Sequence, residues 1–220
     1  MSGLQASMRL YGLVKTTGSS DDPNRQAVEI LCMAQRTGGV AIRAFVSRLD
    51  AELMTRSSDL GDYRVIALRT FDPTAIIDAH QGWLMLHICC GFVALAGHSL
   101  LKNGALIPMG WHVYSEVGRW TSGHHLDLGV EMGDLLQSTF ERNHLRNYNA
   151  WLNELDDATP ADLSWQADEA WRAVQTATSS DSREHCHALF DPVDNRWRFA
   201  ATDIDIYQPS PAPLKQGALN

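Results

Sequence analysis

Four residues have the types and spacing that could hold a metal ion and an acidic co-substrate. His125 and Asp127 form an H-x-D pair, and His187 lies far downstream on a segment that also carries Arg198. Two histidines and one carboxylate are the ligand set of a non-haem iron site. The sequence therefore makes His125, Asp127 and His187 candidate metal ligands, with iron or zinc as the candidate cofactor and Arg198 as a candidate substrate contact.

This spacing resembles the ligand pattern of the iron- and oxoglutarate-dependent oxygenases. The resemblance covers His125, Asp127, His187 and Arg198 and nothing else in the chain. It implies an iron centre with Arg198 against the co-substrate. That family places several strands between its two histidines, whereas residues 128 to 177 have the apolar spacing of helices throughout. A metal-dependent hydrolase that uses the same residues is the other enzyme hypothesis.

A second set of side chains could line a small-molecule pocket between a central helix and the sheet. His87 and His98 belong to the predicted central helix, and Trp111 follows on a predicted strand. His80, His87 and His98 share one helical stripe, but they are two and three turns apart along the axis. That spacing is too wide for one metal ion, so the prediction for His87, His98 and Trp111 is substrate binding.

The longest uncharged run of the chain predicts the element around which the fold is organised. Residues 79–101 contain no Lys, Arg, Asp or Glu. An Asp-Pro pair before the run and an Asn-Gly pair after it are helix start and stop signals. We therefore expect a long buried helix over about 73–103. Its densest apolar part, 83–96, is short for a membrane span and contains His87, which opposes a membrane location.

The remaining patterns predict an α+β fold in which a mixed or antiparallel sheet packs against several helices. Residues 40–55 fit a helix better than a strand, although VAIRAFV also alternates like a strand. A long helix is expected over 128–155, with a kink or a break near Asn143. HCHALF and RWRFAATDIDIY flank the turn sequence DPVDN, which predicts a C-terminal β-hairpin. We expect one domain over 1–207 and a disordered Pro-rich tail over 208–220.

Composition narrows the function classes. The formal net charge is −8, which opposes nucleic-acid binding and allows a protein partner with a basic surface. The four cysteines form no C-x-x-C pair, and the N-terminus has no signal-peptide pattern, which predicts a soluble cytoplasmic protein. Common nucleotide-binding and hydrolase motifs do not occur. The first hypothesis is therefore a protein-interaction or regulatory module of the inhibitor or immunity type. A metal-dependent enzyme and a small-molecule binder are the alternatives, and the sequence sets no oligomeric state.

Overall fold

The computed structural model describes most of the 220-residue chain. The described residues are 3–17, 27–35, 38–56, 60–95, 98–102, 105–121, 123–174, 176–178 and 185–201.

Strands outnumber helices in the described chain, and both types are spread along it. The strands are β1 (Gln5–Ala6), β2 (Tyr11–Thr17), β3 (Ala27–Ile30), β4 (Cys32–Ala34), β5 (Val40–Phe45), β6 (Arg64–Ala67), β7 (Trp83–Leu95), β8 (His98–Lys102), β9 (Ala105–Leu106), β10 (Pro108–Glu116), β11 (His125–Leu126), β12 (Thr176–Thr178), β13 (His185–Asp191) and β14 (Arg196–Ala201). The helices are α1 (Arg48–Thr55), α2 (Thr74–Ala79), α3 (Gly129–Arg142), α4 (Tyr148–Asp157) and α5 (Pro160–Arg172).

One mixed sheet contains all the described strands except β1 and β11, which pair with each other. Its centre is β7, which pairs in parallel with β5 and antiparallel with β10, β13 and β8. Helix α1 packs on β2, β5 and β6 and against α4 and α5. The predicted class, a mixed sheet packed against several helices, is therefore confirmed.

The predicted central helix over 73–103 is wrong beyond its first turns. Helix α2 covers only Thr74–Ala79, and residues with positive φ, Gln81 (55°) and Gly82 (91°), then redirect the chain. Strand β7 follows, and every residue from Leu84 to Ala94 is buried. A strand covered on both faces needs apolar side chains at every position, so its sequence has no alternation that would distinguish it from a buried helix.

A β-bulge at Gly91 lets β7 continue for 13 residues. Gly91 has φ +68°, and the register with β10 shifts between Pro108 and Gly110. A Cβ at Gly91 would meet the carbonyl oxygen of Ala188 at 2.4 Å. The bulge separates two sets of partners, because β7 pairs with β5 before it and with β13 after it.

The structure corrects the prediction for residues 40–55 and confirms those for the break near Asn143 and for the C-terminal hairpin. Residues 40–55 are not one helix: strand β5 comes first, and Ser47 then caps α1 by accepting a hydrogen bond from the Asp50 N–H. The break near Asn143 is confirmed, because α3 ends there and α4 begins at Tyr148. The C-terminal hairpin is confirmed as β13 and β14. The predicted tail, 208–220, lies outside the described residues.

The elements share one large apolar core. It extends from Leu4 near the N-terminus to Trp197 on β14. Each of the five α-helices of the described chain contributes side chains to it, and α2 contributes Ile77. None of the described helices is both long and apolar enough to cross a bilayer.

Candidate functional site

The structure places the three predicted metal ligands in different environments. His125 is exposed on β11, and exposed Asp127 accepts a hydrogen bond from the Gly129 N–H at 2.9 Å. His187 is only 4% exposed and bonds through Nε2 to the carbonyl oxygen of Cys90. Within the described ranges, no three His, Cys, Asp or Glu side chains form a group that could hold a metal ion. The fold therefore does not bring this set together.

Arg198 is engaged inside the hairpin. Its guanidinium donates to Asp191 Oδ2 from Nε at 3.0 Å and from Nη2 at 2.8 Å, and it also contacts Asp194. Asp191 in turn accepts the N–H groups of Val193 and Asp194 at the turn. These contacts give Arg198 a structural role in closing the hairpin.

The predicted small-molecule residues do not share one side of the sheet. Trp111 pairs with Ile88, which neighbours His87 along β7, so Trp111 and His87 project from opposite faces. Trp111 instead lies beside His187 at a cleft of about 10 Å³, which is room for little more than one water molecule. His98 lies on β8, and the structure describes only its backbone.

His87 belongs to a different group, which sequence reasoning did not find. Arg43 on β5 and His112 on β10 are its cross-strand partners on either side. The three side chains therefore form a row across adjacent strands on one face, and we call them the arginine–histidine row. The rings of His87 and His112 stack with centroids 4.8 Å apart and planes inclined by 26°.

Both histidines of the row are neutral at pH 7. Burial, helped by His112 and Arg43, lowers the pKa of His87 to about 3. Burial also lowers the pKa of the more exposed His112. A neutral imidazole keeps one N–H donor and one acceptor nitrogen. The fixed positive charge of the row is consequently that of Arg43.

Arg43 has an unusual environment for a partly buried cation. Its Nε is fully buried and has no hydrogen-bond partner, and no described carboxylate forms an ion pair with its guanidinium. Burying a charged group without a partner opposes folding by several kcal/mol in general, and the cost here is reduced by the exposed part of the side chain. Buried Nε is out of reach of an external acceptor, so the Nη donors of the partly exposed side chain are the ones available to it.

The Cys89–His87 contact resembles a nucleophile and its base but lacks the properties of one. Cys89 Sγ lies 3.3 Å from His87 Nδ1. Cys89 is fully buried, however, and burial raises the pKa of its thiol to about 12. A reactive cysteine needs a lowered pKa and access to substrate. The pair is therefore a packed core contact.

Exposed aromatic side chains border the row on the same face. Tyr114 is 53% exposed and its ring stacks on His112 at a centroid distance of 6.2 Å. Trp83, 39% exposed, lies on the same face of β7 as His87. We call the surface formed by exposed Trp83, His112 and Tyr114 and partly exposed Arg43 the open face of the sheet, and His87 lies buried beneath it.

The sequence held only a partial signal for this surface. WHVYSE alternates polar and apolar side chains as a strand with one accessible face does, whereas VAIRAFV belongs to a segment, 40–55, that fitted a helix better. Nothing in the sequence indicated that β5 and β10 flank β7 at His87, because register between distant strands is set by the fold.

The comparisons with known proteins give no further assignment. No family model matches the chain, and neither the curated proteins nor the solved structures contain a match.

Proposed function

We propose that this protein is a protein-interaction module of the regulatory or inhibitor type, and that it recognises its partner through the open face of the sheet. The observation that carries the proposal is the grouping of Trp83, Tyr114 and Arg43 on one accessible surface. Trp, Tyr and Arg are the residue types that dominate binding energy at protein interfaces. Here they are presented by three paired strands, so little conformational entropy is lost on binding.

The negative net charge of the protein favours a partner with a basic surface. A net charge of −8 attracts a protein with a basic surface and accelerates encounter at low ionic strength. The association rate should therefore fall as salt rises, while contacts made by the aromatic side chains act mainly on the dissociation rate.

Site-specific photo-crosslinking tests the proposal in cells that make the protein at its native level. The photoreactive residue is placed as Tyr114→p-benzoylphenylalanine, with Trp165→p-benzoylphenylalanine as the matched control, because Trp165 is also exposed (61%) but lies on α5. We expect a distinct crosslinked protein from position 114 and not from position 165.

The captured protein is then purified and its affinity measured. Trp83→Ala should weaken the complex about tenfold or more, as expected for an interface hot spot, and Trp165→Ala should leave it unchanged. Equal affinities for both variants would contradict the proposal. So would a crosslink formed only with a second copy of the chain, because the open face would then be a self-association surface.

A further inference from the structure

Arg43 presents hydrogen-bond donors that nothing in the described chain uses. Its buried Nε has no partner, and its guanidinium makes no ion pair within the described ranges. A guanidinium carries five N–H donors in a planar fork that matches the two oxygens of a carboxylate. The acceptor that fits this group best is therefore an oxyanion.

Arg43 has no ion-pair partner among the described carboxylates, and buried Asp50, which acts with Arg43 on Cys89, has a pKa raised by burial to about 7. His87 and His112 are neutral at pH 7, and Cys89 is a buried, protonated thiol. Glu29 and Arg43 both influence the pKa of the Cys32 thiol. Glu29 is already bound to Lys15 at 3.3 Å and to the Tyr63 hydroxyl at 2.9 Å. The row is thus a locally positive spot on a protein with a net charge of −8.

We infer that the arginine–histidine row is a binding site for a single carboxylate, carried by the protein partner of the open face. Arg43 binds the carboxylate through the Nη donors of its guanidinium, which have no partner in the described chain. The inference rests on the proposed function and specifies which group of the partner the row recognises.

A carboxylate fits better than a phosphate. The row supplies one full positive charge, which matches a monovalent anion. A phosphate dianion would leave one negative charge unpaired at a partly buried position, and the acidic protein would repel it more strongly. A basic partner that carries one acidic residue at its interface would be attracted by the net negative charge of this protein and would supply the carboxylate for Arg43.

Solution NMR tests the site directly on the wild-type protein. The Nε–Hε resonance of Arg43 is followed during titration with acetate, acetamide and inorganic phosphate, and exposed Arg64 on β6 serves as the internal control. We expect a saturable shift at Arg43 with acetate, little change with neutral acetamide and no saturable shift at Arg64. Bound acetate should also raise the pKa of His112, whose ring stacks on His87 and Tyr114, because a nearby anion favours the protonated imidazole.

Two variants extend the test. Arg43→Met removes the charge with little change in length, and it should lose acetate binding at least about tenfold. Without an anion it should melt at a higher temperature than the wild type, because a partly buried unpaired charge has been removed. Arg64→Met is the matched control and should keep acetate binding.

The outcomes separate this inference from the proposed function. No saturable shift at Arg43, or equal acetate and acetamide responses, would overturn the carboxylate site. Tighter binding of phosphate than of acetate would overturn the choice of ligand. A crosslinked partner that binds the Arg43→Met protein unchanged would remove the inference and leave the proposed function standing. If acetate binds at Arg43 but no partner is crosslinked, the carboxylate site stands, and its assignment to a carboxylate of a protein partner is overturned.

Discussion

Asp50 and Gly91 join helix α1 to the centre of the sheet. Asp50 lies in the first turn of α1, is 2% exposed, and its Oδ2 accepts the Gly91 N–H at 2.9 Å. That hydrogen bond satisfies a backbone donor that the bulge removes from the strand ladder. Burial raises the pKa of Asp50 to about 7, because one hydrogen bond only partly replaces the water that a carboxylate loses.

Gly91→Ala should destabilise the protein strongly. The added Cβ would meet Ala188 O at 2.4 Å and His187 Nε2 at 2.7 Å, at a φ of +68° that L-residues rarely adopt. We expect the free energy of unfolding to fall by about 3 kcal/mol or more, measured by urea denaturation. Gly133→Ala is the control: nothing lies within 4 Å of its Cβ position in α3, so the protein should gain roughly 0.5–1 kcal/mol. Similar stabilities for the two variants would contradict the role of the bulge.

Asp50→Asn should change how stability depends on pH. The folded pKa of Asp50, about 7, lies above the unfolded value of about 3.9, so the folded protein binds more protons between these limits. The contribution of Asp50 to stability therefore falls as pH rises from about 4 to 7. The amide variant lacks this loss, and its stability relative to wild type should rise over the same window by up to roughly 4 kcal/mol.

The measurement is the difference in unfolding free energy between variant and wild type at several pH values. Buried His87 and His187 act in the opposite direction, since their lowered pKa values remove stability as pH falls below about 6.5. They are present in both proteins and cancel in the difference. Asp134→Asn, at an exposed position on α3, controls for the change in net charge. A pH-independent difference for Asp50→Asn would contradict the prediction.

Strand β7 shows why the element that organises the fold was predicted in the right place but with the wrong structure. The uncharged run correctly marked the centre of the core. Its length favoured a helix, because buried strands are usually shorter. The bulge at Gly91 overcame that limit by letting one strand serve two successive sets of partners. A glycine in an apolar run is compatible with either structure, so the sequence could not distinguish them.

Elements with local signals were predicted well. The polar segment around Asn143 separates α3 from α4, as its local sequence indicated. The hairpin turn DPVDN likewise acts between neighbouring residues. The candidate site depends instead on pairing between β5, β7 and β10. Those strands are distant in sequence, and only His87 of the row was therefore singled out beforehand.

The stability of an Arg198→Ala variant distinguishes a structural role of Arg198 in the β13–β14 hairpin from a substrate-binding role. Arg198→Ala leaves Asp191, which is 7% exposed, without its charged partner, and we expect a loss of about 2 kcal/mol in unfolding free energy. Arg196→Ala removes a more exposed pair with Asp194 and should cost less than about 0.5 kcal/mol. Thermal denaturation of both variants provides the measurement. An unchanged melting temperature for Arg198→Ala would favour the substrate-binding role.

At the scale of the whole molecule, the shared core predicts cooperative unfolding. The core runs from Leu4 to Trp197, so separating any large part of the chain would expose buried apolar surface. We expect one transition in urea, with the same midpoint by tryptophan fluorescence and by far-ultraviolet circular dichroism. Two transitions, or midpoints that differ between probes, would contradict the single domain predicted over 1–207.

The pairing of β7 also sets the order in which the chain can reach its native state during synthesis. β5 leaves the ribosome before β7, but β10 and β13 emerge after it, and β13 lies near the end of the described chain. Until β10 and β13 have been synthesised, the apolar strand β7 has unpaired edges, and unpaired apolar strands slow folding and favour aggregation. The nascent protein should therefore depend on chaperones that hold exposed apolar strands until the last partner arrives.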